Sequence, residues 1–158
     1  MEILSKEELK KINQINKSKV IELLKSCNRE GIERLIEYLE ESSFFTDPAS
    51  GYYHNAFTGG LADHSLKVYK IASEKNKMYK LNIDEETLII TAICHDLCKV
   101  GTYKIEIRNR KIENDDGTYY WEKYGTYGFN DDDFPLGHGE KSVLILMRYI
   151  ILSICYIN

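Results

Sequence analysis

Hydrophobic residues recur every three or four positions along much of the chain, a spacing that predicts amphipathic helices. Ser5 followed by Glu8 is a capping-box pair, which predicts a first helix as far as about Ile15. Asp84 is a predicted N-cap for a very apolar helix that reaches Cys98. Further helices are predicted over residues 17–27, 30–41, 61–79 and from about 139 onward.

Residues 102–129 follow a different pattern, because polar and apolar residues alternate and Tyr and Thr are frequent. Asp116-Gly117 is a strong turn pair between the two alternating runs, so we expect a β-hairpin followed by a polar loop at 131–137. The aromatic residues of the second run either stack nucleic-acid bases or pair across the strands, and alternation favours pairing. These residues are Tyr119, Tyr120, Trp121, Tyr124 and Tyr127. The pattern therefore predicts an all-α bundle with a small β-hairpin insertion.

Composition places the chain among soluble globular proteins. It has 158 residues, of which 43% are hydrophobic and 29% are charged, so we expect one domain over residues 1–158 with an N-terminal helical scaffold at 1–42. The net charge of -4 argues against nucleic-acid binding by charge alone. The N-terminus lacks the apolar region of a signal peptide, which predicts a cytoplasmic location.

The C-terminal apolar run and the cysteines fit that location. The run at 143–157 is 15 residues long, shorter than the roughly 20 needed to span a bilayer. It predicts a buried helix rather than a membrane segment, and an exposed end of that helix would suit a homodimer contact. The four cysteines form no C-x-x-C pair and are expected to be reduced and mostly buried.

Candidate chemistry begins at His95-Asp96, at the end of the very apolar helix. A buried aspartate needs an ion-pair partner or a metal, whereas the alternative is an exposed Asp96 at an ordinary helix end. His64 follows the Gly59-Gly60 pair near the start of the preceding helix, where it could also be a capping or partly buried histidine. Antiparallel helices would bring His64 to His95 and Asp96. Two imidazoles and a carboxylate suit a divalent cation such as Mn, Mg, Fe, Ni or Zn, with open positions for water.

Three segments together resemble one protein family. They are FTGGLADHSL at 57–66, HDLCKVG at 95–101 and PLGHGEKS at 135–142. In this order they resemble the HD-domain metal-dependent phosphohydrolases of bacterial and phage type, over roughly residues 50–150. The resemblance implies an HD-domain-like helical bundle that holds a divalent metal between its helices and hydrolyses phosphate esters of nucleotides or nucleic acids.

The resemblance also implies roles for individual residues. His64, His95 and Asp96 match metal ligands, and His138 matches either a ligand to a second metal or a group that binds substrate phosphate. Asp96 and Lys99 are the implied catalytic residues, and Lys99 would also face the substrate phosphate. Lys141 is a further implied substrate-binding residue.

Two positions depart from the family pattern. Cys98 stands where many members carry glycine, and we interpret it as a packing variant. The family supplies a further carboxylate ligand after the Gly-His-Gly segment, whereas residues 151–158 contain no Asp, Glu or His. The chain therefore resembles a member shortened at its C-terminus. The alternative function is a catalytically incomplete module that binds a nucleotide or a partner without turnover.

Overall fold

The computed structural model describes residues 5–129 and 136–152, in which helices dominate and one hairpin projects. Five α-helices and two strands follow one another along this part of the chain. They are α1 (Lys6–Lys25), α2 (Ile32–Glu41), α3 (Gly60–Tyr79), α4 (Glu85–Cys94), β1 (Tyr103–Glu113), β2 (Tyr119–Phe129) and α5 (His138–Leu146). The predicted class, a mostly helical fold with a small β-hairpin, is confirmed.

The N-terminal region contains two helices where the sequence pattern predicted three. The capping box of Ser5 and Glu8 forms as expected, but the helix it opens continues to Lys25 instead of ending near Ile15. No Gly or Pro interrupts residues 6–25, so backbone hydrogen bonding continues through the polar stretch between the two apolar runs. The prediction of a break near residue 16 was wrong.

Helix α4 begins where it was predicted and ends four residues early. The Asp84 side chain accepts a hydrogen bond from the Thr87 amide at 2.9 Å and caps the helix. The helix ends at Cys94, and Leu97–Lys99 form a separate 3-10 turn. Leu97 and Cys98 are both buried, so the apolar pattern continues past the end of the helix. The pattern alone therefore overestimated its length.

The hydrophobic core lies between the helices and draws one or more side chains from each of them. Helices α3 and α4 pack on each other, α1 contacts both of them, and α5 packs on the Leu97–Lys99 turn. The core residues with at most 6% exposure include Val20, Leu24, Leu35, Leu39, Phe44, Leu61, Ile93, Leu97 and Leu146. None of the helices in the described part of the chain combines the length and apolar character needed to cross a membrane.

The hairpin pairs β1 with β2 in antiparallel register, from Tyr103 opposite Phe129 to Glu113 opposite Tyr119. Asp116 stabilises the turn by accepting a hydrogen bond from the Thr118 amide at 2.9 Å. The aromatic residues of β2 lie opposite β1 side chains, as the pairing interpretation predicts. For example, Trp121 lies opposite Lys111.

Three of the four cysteines lie in the described part of the chain. Cys27, Cys94 and Cys98 are free and buried, as the sequence predicted. Cys155 and the predicted loop residues 131–135 lie outside the described residues. The prediction of a buried helix over 143–157 was wrong within the described residues, because α5 ends at Leu146 and Met147 and Ile151 are exposed. The homodimer contact expected at this helix stays a prediction.

Candidate metal centre

Three side chains predicted to bind a metal converge where α3 begins and α4 ends. His64 lies in the second turn of α3, and His95 and Asp96 directly follow α4. The His64 and His95 Nε2 atoms lie 3.3 Å apart. Asp96 Oδ2 lies 3.1 Å from the His95 Nε2 atom and 3.5 Å from the His64 Nε2 atom. The antiparallel packing of α3 on α4 therefore places two imidazole nitrogens and a carboxylate oxygen in a small triangle.

The size of this triangle suits a divalent cation. Ligand atoms about 2.0–2.2 Å from one tetrahedral cation are themselves roughly 3.3–3.6 Å apart. The three measured separations of 3.1–3.5 Å are close to that range. Imidazole nitrogen and carboxylate oxygen are also ligand types that Zn, Fe, Ni and Mn accept. His64, His95 and Asp96 therefore fit a metal by both distance and chemistry.

A backbone contact orients the His95 ring for this role. Its Nδ1 atom lies 2.8 Å from the carbonyl oxygen of Ala92. A carbonyl oxygen only accepts, so Nδ1–H is the donor. In the neutral ring the Nε2 lone pair then faces His64 and Asp96, whereas in the protonated ring Nε2–H donates to Asp96. This second contact of a ligand histidine fixes both its tautomer and its ring orientation.

The Asp96 carboxylate is buried and surrounded by positive groups. It is 8% exposed, contrary to the alternative of an exposed residue at a helix end. Lys99 Nζ lies 2.8 Å from the same Oδ2 atom that faces the histidines. Burial opposes ionisation, but hydrogen bonds from His95 and Lys99 outweigh it and hold the pKa of Asp96 well below its usual range. The carboxylate is therefore charged at neutral pH.

The two histidines differ in their protonation because their surroundings differ. Burial, and after it the neighbouring His95, lowers the pKa of His64. Burial acts on His95 in the same direction, but its hydrogen bonds to Asp96 and to the Ala92 carbonyl outweigh it and raise the pKa of His95. His64 is therefore the more readily available neutral ligand.

Partly buried hydrogen bonds anchor the start of α3 and so position His64. The Asp63 carboxylate accepts hydrogen bonds from the side-chain amides of Asn55, at 2.7 Å, and Asn16, at 3.2 Å. The Asn55 amide also donates to the carbonyl of Gly60 at 3.2 Å. These contacts join α1, the 42–59 segment and α3 one residue before the first candidate ligand.

The other predicted site residues are His138 and Lys141 on α5 and Lys99 in the Leu97–Lys99 turn. His138 is the exposed first residue of α5, and Lys141 is half-exposed one helical turn later. One donor atom each of Asp96, Cys98 and His138 lie within 4.8 Å of one another. The structure thus brings His138 and Lys99 to the Asp96 side of the centre, whereas the substrate-binding role of Lys141 stays a prediction.

A cleft beside the centre offers room for a ligand. It has a volume of about 390 Å³, and its lining includes His95, Arg29 and Ser142 together with the apolar side chains of Ile90 and Leu146. Two wider clefts of about 580 and 540 Å³ follow α1 and contain none of the converging ligand residues. The cleft at His95 is therefore associated with the candidate chemistry.

Comparison with known protein families agrees with this geometry. The sequence model of the HD domain family matches residues 61–149, which is more than half of the chain. This chain belongs to the HD domain family. Its match begins at the first turn of α3, includes His64, His95, Asp96 and His138, and ends after α5. The family predicted from the three sequence segments is confirmed.

One curated relative of this HD domain protein has a named activity. It is the dihydroneopterin 2',3'-cyclic phosphate phosphodiesterase of Methanocaldococcus jannaschii, 31% identical over 109 residues. The alignment covers 65% of this chain and 39% of the relative, so the chain spans about two fifths of the relative's length. The search of solved structures gave no match.

Two features of the site were missed by reasoning from the sequence. His54 was expected near the mouth of the site but without a partner, and its ring centroid lies 4.9 Å from that of His64. Cys98 was interpreted as a packing residue, although its donor atom lies with those of Asp96 and His138. Cys98 lies two residues after Asp96, but His138 is forty residues further along, so the sequence alone did not indicate the second feature.

Proposed function

We propose that this HD domain protein is a metal-dependent phosphohydrolase that cleaves phosphate esters of a nucleotide or a nucleic acid. The observation that carries the proposal is the triangle of His64 Nε2, His95 Nε2 and Asp96 Oδ2, with edges of 3.1–3.5 Å. A divalent cation held there would supply hydroxide from water near neutral pH and neutralise charge on a phosphate.

Lys99 has a separate role in this proposal. Its ammonium group lies 2.8 Å from Asp96 Oδ2, and its side chain is 12% exposed. A cation held by Asp96 would neutralise the carboxylate, and the Lys99 ammonium would then be available for a negatively charged oxygen of the substrate. Such a fixed positive charge stabilises the charge that develops during phosphoryl transfer.

The relative's name supports a phosphodiester as the substrate. That enzyme is named for a 2',3'-cyclic phosphate, which is an internal phosphodiester. The cleft beside His95 has mostly apolar walls, which suit a flat organic group attached to a phosphate. We therefore propose cyclic or linear phosphodiesters as the substrate class.

Metal binding is tested first, without any assay of activity. A ligand that binds only the folded protein at 100 times its Kd stabilises it by about 2.7 kcal/mol. For a chain of this size, we expect Mn²⁺ or Zn²⁺ to raise Tm by about 5–10 °C. The rise should be absent in Asp96→Asn and retained in Asp115→Asn, which makes the same chemical change in the exposed hairpin turn. An equal rise in both variants would contradict the proposed metal site.

Turnover is tested next, with bis(4-nitrophenyl) phosphate and a panel of nucleoside 2',3'-cyclic phosphates. We expect product with added metal, at least a hundredfold less in Asp96→Asn, and a fall in kcat for Lys99→Met with retained metal binding. Metal binding and nucleotide-dependent stabilisation without product in the wild type would instead support the incomplete binding module. Product formation that does not depend on metal would overturn the proposal.

A further inference from the structure

A second set of metal-binding groups shares Asp96 with the centre described above. Cys98 lies in the Leu97–Lys99 turn, and His138 is the first residue of α5. One donor atom from each of these residues and one from Asp96 lie within 4.8 Å of one another. The set therefore combines a thiol, an imidazole and a carboxylate on the side of Asp96 that faces α5.

Backbone contacts fix the position of Cys98 in this set. Its amide donates a hydrogen bond to the Ser142 hydroxyl at 3.1 Å, and its carbonyl accepts one from the Thr102 hydroxyl at 2.8 Å. Ser142 is 3% exposed and lies four residues after His138, on the same face of α5. The contact that holds α5 on the turn thus also directs His138 toward the Cys98 side chain.

The donor types and their spacing suit a transition metal. Sulfur bonds to zinc at about 2.3 Å, and nitrogen and oxygen at about 2.0–2.2 Å, so tetrahedral ligand atoms are roughly 3.3–3.7 Å apart. The three donor atoms lie within 4.8 Å of one another, so binding one cation requires shifts of at most about 1 Å. Rotation of the exposed His138 side chain supplies such a shift for the two separations that involve it.

We propose that Cys98 is a metal ligand, which binds a second divalent cation together with His138 and a bridging Asp96. The inference rests on the metal centre of the proposed function and replaces the interpretation of Cys98 as a packing variant. Coordination releases the thiol proton to solvent. Because thiolate is a soft ligand, the second position should prefer Zn²⁺, Co²⁺ or Fe²⁺ and reject Mg²⁺.

Cobalt tests the proposal because a bound thiolate produces a charge-transfer band in the near ultraviolet, separate from the visible d–d bands of any bound Co²⁺. Metal-free protein is titrated with CoCl₂. We expect d–d bands and a thiolate band in the wild type, and loss of the thiolate band in Cys98→Ser with the d–d bands of the first site retained. Zn²⁺ should displace the signal, and excess Mg²⁺ should not.

Two further variants separate coordination from packing. Cys94→Ala removes an equally buried thiol that does not belong to the set, and it should keep the thiolate band. His138→Gln changes an exposed residue, so it should not affect folding. It should lower the affinity for the second equivalent of Co²⁺ at least tenfold. This variant tests the site even if Cys98→Ser fails to fold.

The outcomes distinguish this inference from the proposed function. Visible cobalt bands without a thiolate band in the wild type would overturn the role of Cys98 and leave the first metal site standing. A thiolate band that persists in Cys98→Ser, or that disappears in Cys94→Ala, would also overturn it. Absence of any cobalt band would overturn both the inference and the proposed metal centre.

Discussion

Replacing Gly60 by alanine tests whether close backbone packing, rather than helix propensity, decides how α3 begins. Gly60 is the first residue of α3, one helical turn before His64. A Cβ atom added at Gly60 would lie 2.0 Å from the Asn55 carbonyl oxygen and 3.2 Å from the Ala49 amide nitrogen. Ordinary contacts between carbon and oxygen are about 3.3 Å or longer, so the backbone of the 42–59 segment would have to move by more than about 1 Å.

The displaced backbone group already has a partner, which sets the magnitude of the loss. The Asn55 carbonyl accepts a hydrogen bond from the Ala49 amide at 3.1 Å. Overpacking costs about 1–3 kcal/mol, and loss of the hydrogen bond adds about 1 kcal/mol. Alanine recovers about 0.5–1 kcal/mol through its better helix propensity. We therefore expect the free energy of unfolding to fall by about 1–3.5 kcal/mol and Tm by about 2–14 °C.

Urea denaturation followed by far-ultraviolet circular dichroism measures the change, with Gly139→Ala as the matched control. Gly139 lies in α5, and a Cβ atom there has no neighbour within 4 Å. The control should be neutral or more stable than the wild type by up to about 1 kcal/mol. If Gly60→Ala is as stable as Gly139→Ala, steric contact with Asn55 does not determine the start of α3 and the reasoning fails.

Two further substitutions test the contacts that hold the scaffold together, each by the shift in urea midpoint. Asn55→Ala should lower the free energy of unfolding by about 1–2 kcal/mol more than Asn82→Ala. Both residues have positive φ, but of the two Asn55 donates partly buried hydrogen bonds beside His64. Equal losses would assign the effect to backbone strain. Glu86→Gln weakens a partly buried pair with Arg29, whose Nη2 lies 2.6 Å from the carboxylate, and should cost about 1.5–2 kcal/mol. Glu40→Gln, at a more exposed pair, should cost less than about 1 kcal/mol; a larger loss there would contradict the role of burial.

Much of the fold could be predicted from local sequence signals. The caps at Ser5 and Asp84 and the turn at Asp116-Gly117 act over a few residues, so each is visible without knowledge of the rest of the chain. Helix ends that do not coincide with a local signal were harder to predict from the sequence. Periodicity did not indicate the early end of α4 at Cys94, because the apolar pattern continues into the Leu97–Lys99 turn. It also did not indicate the continuation of α1 past Ile15, although the absence of Gly and Pro from residues 6–25 permits it.

The candidate site was likewise predictable only in part from the sequence. His64, His95 and Asp96 could be selected because an aspartate at the end of an all-apolar helix needs a charged partner or a metal. Their separations of 3.1–3.5 Å depend on how α3 lies on α4. The contact of His54 with His64 likewise involves residues ten positions apart, brought together by the irregular segment before α3.

Short motifs and the period of hydrophobic residues were enough to predict the residue types of the candidate metal centre, the family and the mostly helical class. Which donor atoms meet depends on how the helices pack. The tertiary structure placed the Cys98 thiol beside Asp96 and His138 through the docking of α5 on a 3-10 turn, a contact between segments forty residues apart. Periodicity along the chain carries no distance between such segments, since packing of the core sets that distance.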